Sequence, residues 1–310
     1  MTLIVAGATG LVGSAIVKAF ESQGQEVVGI NREVIDLRDP YATERFIASV
    51  KPTLIVDAAA MVGGIGANNT YPVEFLSDNL TIQGNLMHAA HKAHVPKFVF
   101  LGSSCIYPRD CAQPIKEEYL MTGPLEVTNS AYAVAKIAGI EMINSYRKEY
   151  GAHWISLMPT NLYGPGDNFD LAASHVLPAF IRRFIEAAES GVEKVTLWGT
   201  GAPLREFLHV DDLAKAVLLV AERYDSSMHL NVGSGEDLSV KDLAKKIASA
   251  AGFTGRIEWD ASKPDGTPRK VLDISRMKAL GWKPTITLDE GIASTIAWYK
   301  EANTRGGVRK

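Results

Sequence analysis

Near its beginning the chain reads Leu3-Ile4-Val5-Ala6-Gly7-Ala8-Thr9-Gly10-Leu11-Val12-Gly13. The apolar run 3–6 predicts a buried strand, and helical spacing follows from residue 10 onward. Glycines at positions 7, 10 and 13 allow a tight turn, a close approach to a pyrophosphate and tight packing of helix on strand. The unpaired N–H groups at the start of the helix then face the phosphates. A purely structural turn is the alternative, but the strand before the loop and the helix after it favour a dinucleotide site.

The alternation of strand and helix continues through the first half of the chain. Short runs of apolar and β-branched residues predict strands at 3–6, 26–30, 54–57, 97–101 and 154–158. Helical spacing between them predicts helices at 10–22, 42–50, 72–94 and 131–150. This order predicts an α/β fold, a doubly wound parallel sheet (Rossmann) with right-handed crossovers. Ligands bind such sheets outside the carboxyl ends of the strands, so we expect the site there.

The last part of the chain is organised differently. Gly, Pro and aromatic residues become frequent from Tyr163 onward, and the helices predicted at 177–190 and 240–252 are separated by loops. We expect 207–224 and 229–232 to return to the sheet. The predicted division is a dinucleotide-binding domain of 1–163 and 206–233, and a second, smaller lobe of 164–205 and 234–310.

Composition excludes several classes of protein. Of the 310 residues, 46% are hydrophobic and 22% charged, which is ordinary for a folded domain, and a net charge of −3 does not suit a nucleic-acid backbone. Two cysteines, Cys105 and Cys111, cannot form a disulfide framework, and the apolar stretches are too short or too charged to cross a bilayer. We expect a cytoplasmic protein without a nucleic-acid or membrane partner. His88, His91 and His94 share one helix with no acidic or thiol ligand in register, so no metal site is expected.

The second predicted strand ends in Gly29-Ile30-Asn31-Arg32. Proteins that bind NAD usually carry an acidic residue here for the ribose 2′-hydroxyl, and this chain has none. The Arg32 guanidinium suits a 2′-phosphate through charge-assisted hydrogen bonds, which predicts NADP(H). A solvated surface arginine is the alternative.

A second group of polar residues follows the fourth predicted strand. The chain reads Gly102-Ser103-Ser104-Cys105-Ile106-Tyr107-Pro108 there, and Asn129-Ser130-Ala131-Tyr132-Ala133-Val134-Ala135-Lys136 further on. Tyr132 and Lys136 share a helix face, so we expect the ammonium to lower the phenol pKa from about 10 and to favour proton exchange with a carbonyl oxygen. Ser103 donates a second hydrogen bond to that oxygen. Tyr-x-x-x-Lys alone is weak evidence, but after this glycine loop and strand-end serine it is a strong signal.

These residues resemble the extended short-chain dehydrogenase/reductase family, whose nucleotide-sugar enzymes share the glycine loop, the serine and Tyr-x-x-x-Lys. The resemblance to its GDP-sugar members covers nearly the whole chain, through the stretches 102–108, 159–165, 174–176, 198–207 and 263–270. It implies a homodimeric epimerase-reductase that uses NADP(H), takes GDP-4-keto-6-deoxy-D-mannose, inverts C3 and C5 and reduces C4. It also implies that the smaller lobe binds the nucleotide sugar and that helices flanking the sheet join the dimer.

The resemblance further implies a role for each site residue. A C4 ketone acidifies the hydrogens at C3 and C5, so epimerisation needs a base and an acid on opposite faces, which Cys105 and His175 match. Tyr132 protonates the alkoxide formed at C4, and Ser103 and Lys136 assist. The implied substrate contacts are Arg183, Trp198, Arg205, Asp265 and Lys270. The implied cofactor contacts are Gly7, Ala8, Thr9, Gly10, Leu11, Val12, Gly13, Arg32, Leu101, Gly102, Ser103, Ser104, Tyr132, Lys136, Pro159, Thr160, Asn161, Leu162 and His175.

Alternatives differ at the same strand end. Sugar-nucleotide 4,6-dehydratases place Thr-Asp-Glu where this chain has Ser103-Ser104-Cys105, so elimination of water is disfavoured. A simple 4-epimerase would need no Cys/His pair for proton transfer. A related GDP-sugar epimerase-reductase, such as a colitose-forming enzyme, remains an alternative. A non-catalytic dinucleotide-binding regulator is a further hypothesis, which the intact catalytic set disfavours.

Taken alone, a cysteine is more often a small buried side chain and a histidine a structural residue. We interpret Cys111 as such a structural residue. Ala8-Thr9 replaces the His-Arg of some family members, which leaves Arg32 to carry the NADP preference.

Overall fold

Six short parallel strands build the first sheet of the computed structural model, which describes residues 2–263 and 265–309. Pro264, within the 263–270 stretch quoted above, lies outside the described residues, as do Met1 and Lys310. The strands are β1 Thr2–Ala6, β2 Glu26–Ile30, β3 Leu54–Asp57, β4 Lys97–Leu101, β5 Ile155–Pro159, β6 Asn161–Tyr163, β7 Lys194–Trp198, β8 Leu204–His209, β9 Leu230–Val232, β10 Asp237–Ser239, β11 Arg256–Asp260 and β12 Arg269–Lys270. The helices are α1 Leu11–Ser22, α2 Pro40–Val50, α3 Ile65–Thr70, α4 Pro72–Lys92, α5 Ser130–Tyr150, α6 Val176–Ser190, α7 Val210–Arg223, α8 Val240–Ala251, α9 Ser275–Ala279 and α10 Leu288–Thr304.

The order of the first sheet is β2-β1-β3-β4-β5-β9, with every neighbouring pair parallel. The predicted doubly wound sheet is therefore confirmed. From β1 the chain adds β2 on one side of the sheet and then crosses to the other side, where it adds β3, β4, β5 and β9. The order in which strands are added therefore reverses between β1 and β3. A crevice opens at the carboxyl ends of the strands at such a reversal, and it is the usual ligand site of these sheets.

Close packing of α5 on the sheet places the Tyr-x-x-x-Lys face. A Cβ at Gly139 would lie 2.3 Å from the Phe100 ring, so only glycine lets the helix approach β4 this closely. The helix ends at Gly151, which has a left-handed φ of 68°. Tyr132 and Lys136 on its first two turns are thereby held at the carboxyl end of β4.

A second core lies under the smaller lobe. It joins buried residues of α6, α8 and α10 with Tyr163 and Phe207 from two neighbouring strands. The sheets around it are β10-β8-β12, with β6 beside β8, and the pair β11-β7. The domain boundaries stay a prediction. Within the stretch 234–310, Leu272, Ile274, Met277 and Trp282 pack into the first core.

The predicted return of the chain to the first sheet is half correct. The segment 229–232 supplies β9 as its sixth strand, whereas 207–224 supplies the end of β8, in the second sheet, and then α7. Helix α7 is amphipathic and covers the first sheet with its apolar face, through Leu213, Val217 and Val220. None of the helices in the described ranges is both long and apolar enough to span a bilayer.

Candidate active site

The glycine loop folds tightly between β1 and α1. Gly7 has a φ of 76°, which favours glycine, and a Cβ there would lie 2.7 Å from the carbonyl oxygen of Ala58. A Cβ at Gly13 would lie 2.1 Å from the Gly7 carbonyl oxygen, so the first turn of α1 packs directly on the loop. Gly10 caps the helix without a side chain, which leaves first-turn N–H groups available to an anion. Ala8, Thr9, Leu11 and Val12 complete the cradle, which fits the pyrophosphate of a dinucleotide.

Arg32 lies exposed just beyond the end of β2, beside this loop. Arg32 forms no ion pair with another described residue, whereas the nearby Arg38 pairs with both Asp36 and Asp78. The guanidinium available to a 2′-phosphate at this edge is therefore that of Arg32.

The segment after β4 forms a tight turn that carries two candidate catalytic residues. Gly102 donates its amide to the Leu157 carbonyl of β5 at 2.8 Å, which holds the turn against the sheet. Ser103 then caps a 3₁₀ turn, and its Oγ accepts the amide of Cys105 at 3.2 Å. Ser104 is buried, whereas Ser103 and Cys105 are half-buried. One short turn thus presents a hydroxyl and a thiol together.

Tyr132 lies next to that turn, but its pKa departs from the expectation. Burial raises the pKa of the phenol, proximity to Cys105 raises it further, and a hydrogen bond with Ser103 opposes both. The predicted net lowering of the phenol pKa is wrong, because burial dominates the shift. The Lys136 ammonium donates to the Leu101 carbonyl at 2.9 Å and lies 6.0 Å from the centre of the Tyr132 ring. No hydrogen bond among the described residues joins this ammonium to the phenol oxygen.

Lys270 reaches the thiol that the sequence singled out. Its Nζ lies 3.6 Å from Cys105 Sγ, and both residues line one small cavity. Strand β12 pairs with β8 so that Lys270 is the register partner of Arg205, which brings two cations to the same edge. The pKa of Arg205 is lowered by burial, and the nearby Asp265 opposes that change. The cation predicted to bind substrate therefore also contacts the candidate base.

The other predicted substrate residues lie at the rim of the lobe. Trp198 is 68% exposed, and Lys263 Nζ lies 5.7 Å over its ring. Asp265 accepts the Thr200 amide and hydroxyl, both at 2.7 Å, so it holds the loop after Trp198 and is not a free carboxylate. Arg183 donates to the Thr196 carbonyl at 3.3 Å and forms no ion pair within the described part of the chain.

His175 begins α6 and approaches the site through its own loop. The Gly64 amide donates to the Ala173 carbonyl at 2.9 Å, and a Cβ at Gly64 would lie 2.8 Å from the Ser174 carbonyl oxygen. The loop therefore packs on the segment that follows β3. The imidazole is exposed, yet the surrounding protein limits its hydration and lowers its pKa. No hydrogen bond between described residues joins the His175 ring to Ser103, Cys105 or Tyr132. The structure therefore packs the loop before His175 on the segment after β3 but does not link the candidate acid to the candidate base.

Comparison with known proteins identifies the family. A family model described as NAD dependent epimerase/dehydratase family matches residues 3–233. The chain belongs to this family. It is 50% identical over 298 residues to GDP-L-fucose synthase 1 of Arabidopsis thaliana, covering 96% of this chain and 92% of that protein. It is 48% identical over 313 residues to GDP-L-fucose synthase of Escherichia coli strain K12, covering 98% of each. A crystal structure of a GDP-L-fucose synthetase from Naegleria fowleri bound to NADP has a TM-score of 0.92 and 29% identity, covering all of this chain and 96% of that one.

The segment 159–162 links the two sheets of this epimerase/dehydratase family member. Pro159 ends β5, the Thr160 amide donates to the Val232 carbonyl at 3.0 Å, and Asn161 Nδ2 donates to the Glu206 carbonyl at 2.8 Å. Leu162 continues in β6. These residues lie at the carboxyl end of β5, where the family fold holds its dinucleotide.

Two residues of this family member were missed from the sequence. Glu206 is buried and accepts the amides of Gly235 at 2.6 Å and Leu272 at 2.9 Å, so it fixes the segment that follows Lys270. Asn129 lines the cavity of Cys105, and its buried Oδ1 accepts no hydrogen bond from a described residue. Both lie inside motifs that were quoted, but only the folded chain shows what their side chains contact.

Proposed function

We propose that the chain is a GDP-L-fucose synthase, which epimerises C3 and C5 of GDP-4-keto-6-deoxy-D-mannose and then reduces C4 with NADPH. The observation that carries the proposal is the Cys105 thiol, 3.6 Å from the Lys270 ammonium, on the turn that also holds Ser103. A thiol beside a cation is a base suited to removing a proton next to a ketone, and a simple reductase would not need one. The curated relatives of that name support the same conclusion.

The epimerisation is a pair of proton exchanges. The Cys105 thiolate removes the proton from C3 or C5, and the C–H electrons move into the C4 carbonyl to give an enolate. Ser103 and Tyr132 hydrogen-bond the enolate oxygen, which stabilises its charge. His175 then delivers a proton to the opposite face of the carbon, and solvent exchange resets both groups. The Lys270 ammonium stabilises the thiolate between turnovers by charge.

The reduction uses Tyr132 as the proton donor. When bound, NADPH supplies the hydride that C4 accepts. Tyr132 gives its proton to the resulting alkoxide, and a raised phenol pKa keeps that proton in place until the alkoxide forms. Lys136 supplies a buried positive charge near the ring, which stabilises the tyrosinate.

The chain holds its two ligands from opposite sides of the crevice. The Gly7–Gly13 loop and the α1 N-terminus would hold the cofactor pyrophosphate, and Arg32 the 2′-phosphate. Arg205 and Lys270 carry the charge that suits the sugar diphosphate, and the exposed Trp198 ring offers a face on which a purine can stack.

The proposal includes a cytoplasmic homodimer joined through helices that flank the sheet. Large apolar side chains on two of these helices are exposed, namely Leu80 of α4 at 37%, Val134 of α5 at 46% and Tyr150 of α5 at 56%. Covering such groups favours association. Light scattering coupled to gel filtration should report twice the chain mass, and a monomer at micromolar concentration would contradict this part of the proposal.

The deciding assay is NADPH oxidation at 340 nm with GDP-4-keto-6-deoxy-D-mannose, with the product identified by NMR. In D₂O the unaltered protein should place deuterium at C3 and C5. Cys105→Ser and His175→Asn should slow this exchange by about 10²–10⁴-fold and divert ketone to direct reduction. Cys111→Ser, the matched control, should behave as the unaltered protein.

Three outcomes contradict the proposal. Normal exchange in both variants would remove Cys105 and His175 from the reaction. Turnover of a 3,6-dideoxy ketone in preference to the 6-deoxy ketone would favour a colitose-forming enzyme. Binding of NADPH without any oxidation would leave a dinucleotide-binding regulator.

A further inference from the structure

Asp57 is a buried carboxylate that the proposed chemistry does not use. It is the last residue of β3, and its exposed fraction is 0%. Its Oδ1 accepts the Ala59 amide at 3.1 Å, whereas its Oδ2 is buried and accepts no hydrogen bond from the described residues. An ionised carboxylate in such a place is costly unless a positive charge lies nearby.

The sheet register brings the Lys136 ammonium to the same place. Asp57 is the register partner of Phe100 on β4, and side chains of paired residues in a parallel sheet point to the same face. The Phe100 ring packs under α5, and Lys136 Nζ lies 4.8 Å over that ring while donating to the next carbonyl, that of Leu101. The carboxylate and the ammonium therefore lie between α5 and the same pair of strand ends.

Each of these two groups opposes the effect of burial on the other. Burial raises the pKa of Asp57 to about 6, and attraction to Lys136 works against that rise. Burial lowers the pKa of Lys136, which is 2% exposed, and attraction to Asp57 works against that fall. The titratable groups that face the ammonium are Asp57 from β3 and Tyr132 from α5 itself, with Cys105 beyond the tyrosine. Strand β4 contributes only a carbonyl and an uncharged ring.

We propose that Asp57 is a positioning residue of the reduction, whose carboxylate is the counter-charge of the buried Lys136 ammonium. The role of Asp57 in reduction rests on the proposed function, whereas the pairing of its charge with that of Lys136 does not. Tyr132 becomes a tyrosinate as it protonates the alkoxide, so a protonated Lys136 favours that step. Without Asp57, burial alone acts on Lys136, and its ammonium loses the proton at lower pH.

The test variant is Asp57→Asn, which keeps the acceptor for the Ala59 amide and removes the charge. The ¹³Cε resonance of Lys136, assigned with Lys136→Arg, should titrate about one pH unit lower in Asp57→Asn than in the unaltered protein. The alkaline limb of kcat for NADPH oxidation should move in the same direction, with KM for the keto sugar unchanged. Asp167→Asn, which removes another buried carboxylate with an unpaired oxygen, should move neither.

A reciprocal measurement keeps the test decisive if Asp57→Asn does not fold. Lys136→Met should raise the titration midpoint of the Asp57 ¹³Cγ resonance by a similar amount, because the coupling between two sites is mutual. Midpoints that stay within about 0.3 of their original values in both variants would overturn the proposal. If the unaltered protein oxidises no NADPH, the proposed function fails, and the two resonance titrations still decide the charge pair.

Discussion

Removing the positive charge beside Cys105 is the sharpest test of the epimerase site. Lys270→Met keeps most of the side-chain volume and deletes the ammonium that lies 3.6 Å from the sulfur. We expect slower reaction at the Cys105 sulfur and therefore slower proton removal from the keto sugar, because the adjacent cation favours negative charge on the sulfur. Lys270→Arg, which restores a cation, should recover much of the loss.

The magnitude follows from the distance. Two unit charges 3.6 Å apart attract by about 5 kcal/mol at an effective dielectric of about 20 and by about 1 kcal/mol in bulk water. Both side chains are half-buried, so the lower part of this range applies, about 1–2 kcal/mol. That energy corresponds to a roughly five- to thirty-fold slower reaction at the sulfur.

Alkylation measures the reactivity of the Cys105 sulfur without substrate. In a Cys111→Ser background, the rate at which iodoacetamide modifies Cys105 at pH 7 should fall about five- to thirty-fold in Lys270→Met. Exchange of deuterium into C3 and C5 should fall by at least the same factor, since the same variant also loses a proposed substrate contact. Equal alkylation rates in Lys270→Met, Lys270→Arg and the unaltered side chain would refute the reasoning, whatever happens to turnover.

Three further predictions concern the cofactor site and the lobe. Arg32→Ala should reduce the ratio of NADPH to NADH affinity by about ten-fold or more, as read by fluorescence titration, because a charge-assisted contact is lost; equal affinities before the change would contradict the assigned preference. Gly13→Ala should abolish NADPH binding, because the added Cβ would lie 2.1 Å from the Gly7 carbonyl oxygen and must push α1 away from the loop; tight binding by calorimetry would refute this. Burial raises the pKa of Asp167 to about 7, so the folded state holds its proton while the unfolded chain ionises from about pH 4 upward. The free energy of unfolding, measured with urea, should therefore fall by at most about 4 kcal/mol as the pH rises from about 4 to 7. In Asp167→Asn this contribution to the pH dependence should be absent.

Local patterns were sufficient to predict the first sheet. Its strands at 26–30, 54–57 and 97–101 match the structure because each is a short apolar run closed by a turn, and no competing helical period is present. The second sheet was not predicted. Strands β10 and β12 have two or three residues each and are half-buried or exposed, so they carry neither alternation nor an apolar run.

The candidate site shows the same limit at the level of side chains. Motifs located Ser103, Cys105 and Tyr132 at one strand end, because helix spacing and strand order fix those positions. The partner of Cys105 comes from residue 270, through a strand pairing that no local pattern encodes. The phenol pKa was predicted in the wrong direction because burial, which depends on the whole fold, outweighs the charge of a residue four positions away.

The two lysines of the site differ in a way that separates the two half-reactions. Lys270 is half-buried and contacts Cys105, the thiol proposed to exchange protons at C3 and C5. Lys136 is buried between α5 and β4, 6.0 Å from the ring of Tyr132, the proposed proton donor at C4. Because the two ammonium groups lie on different elements, Lys270 on β12 and Lys136 on α5, each can be altered without the other. Loss of the first charge should leave a reductase that skips epimerisation, whereas loss of the second should leave an epimerase that accumulates the inverted ketone.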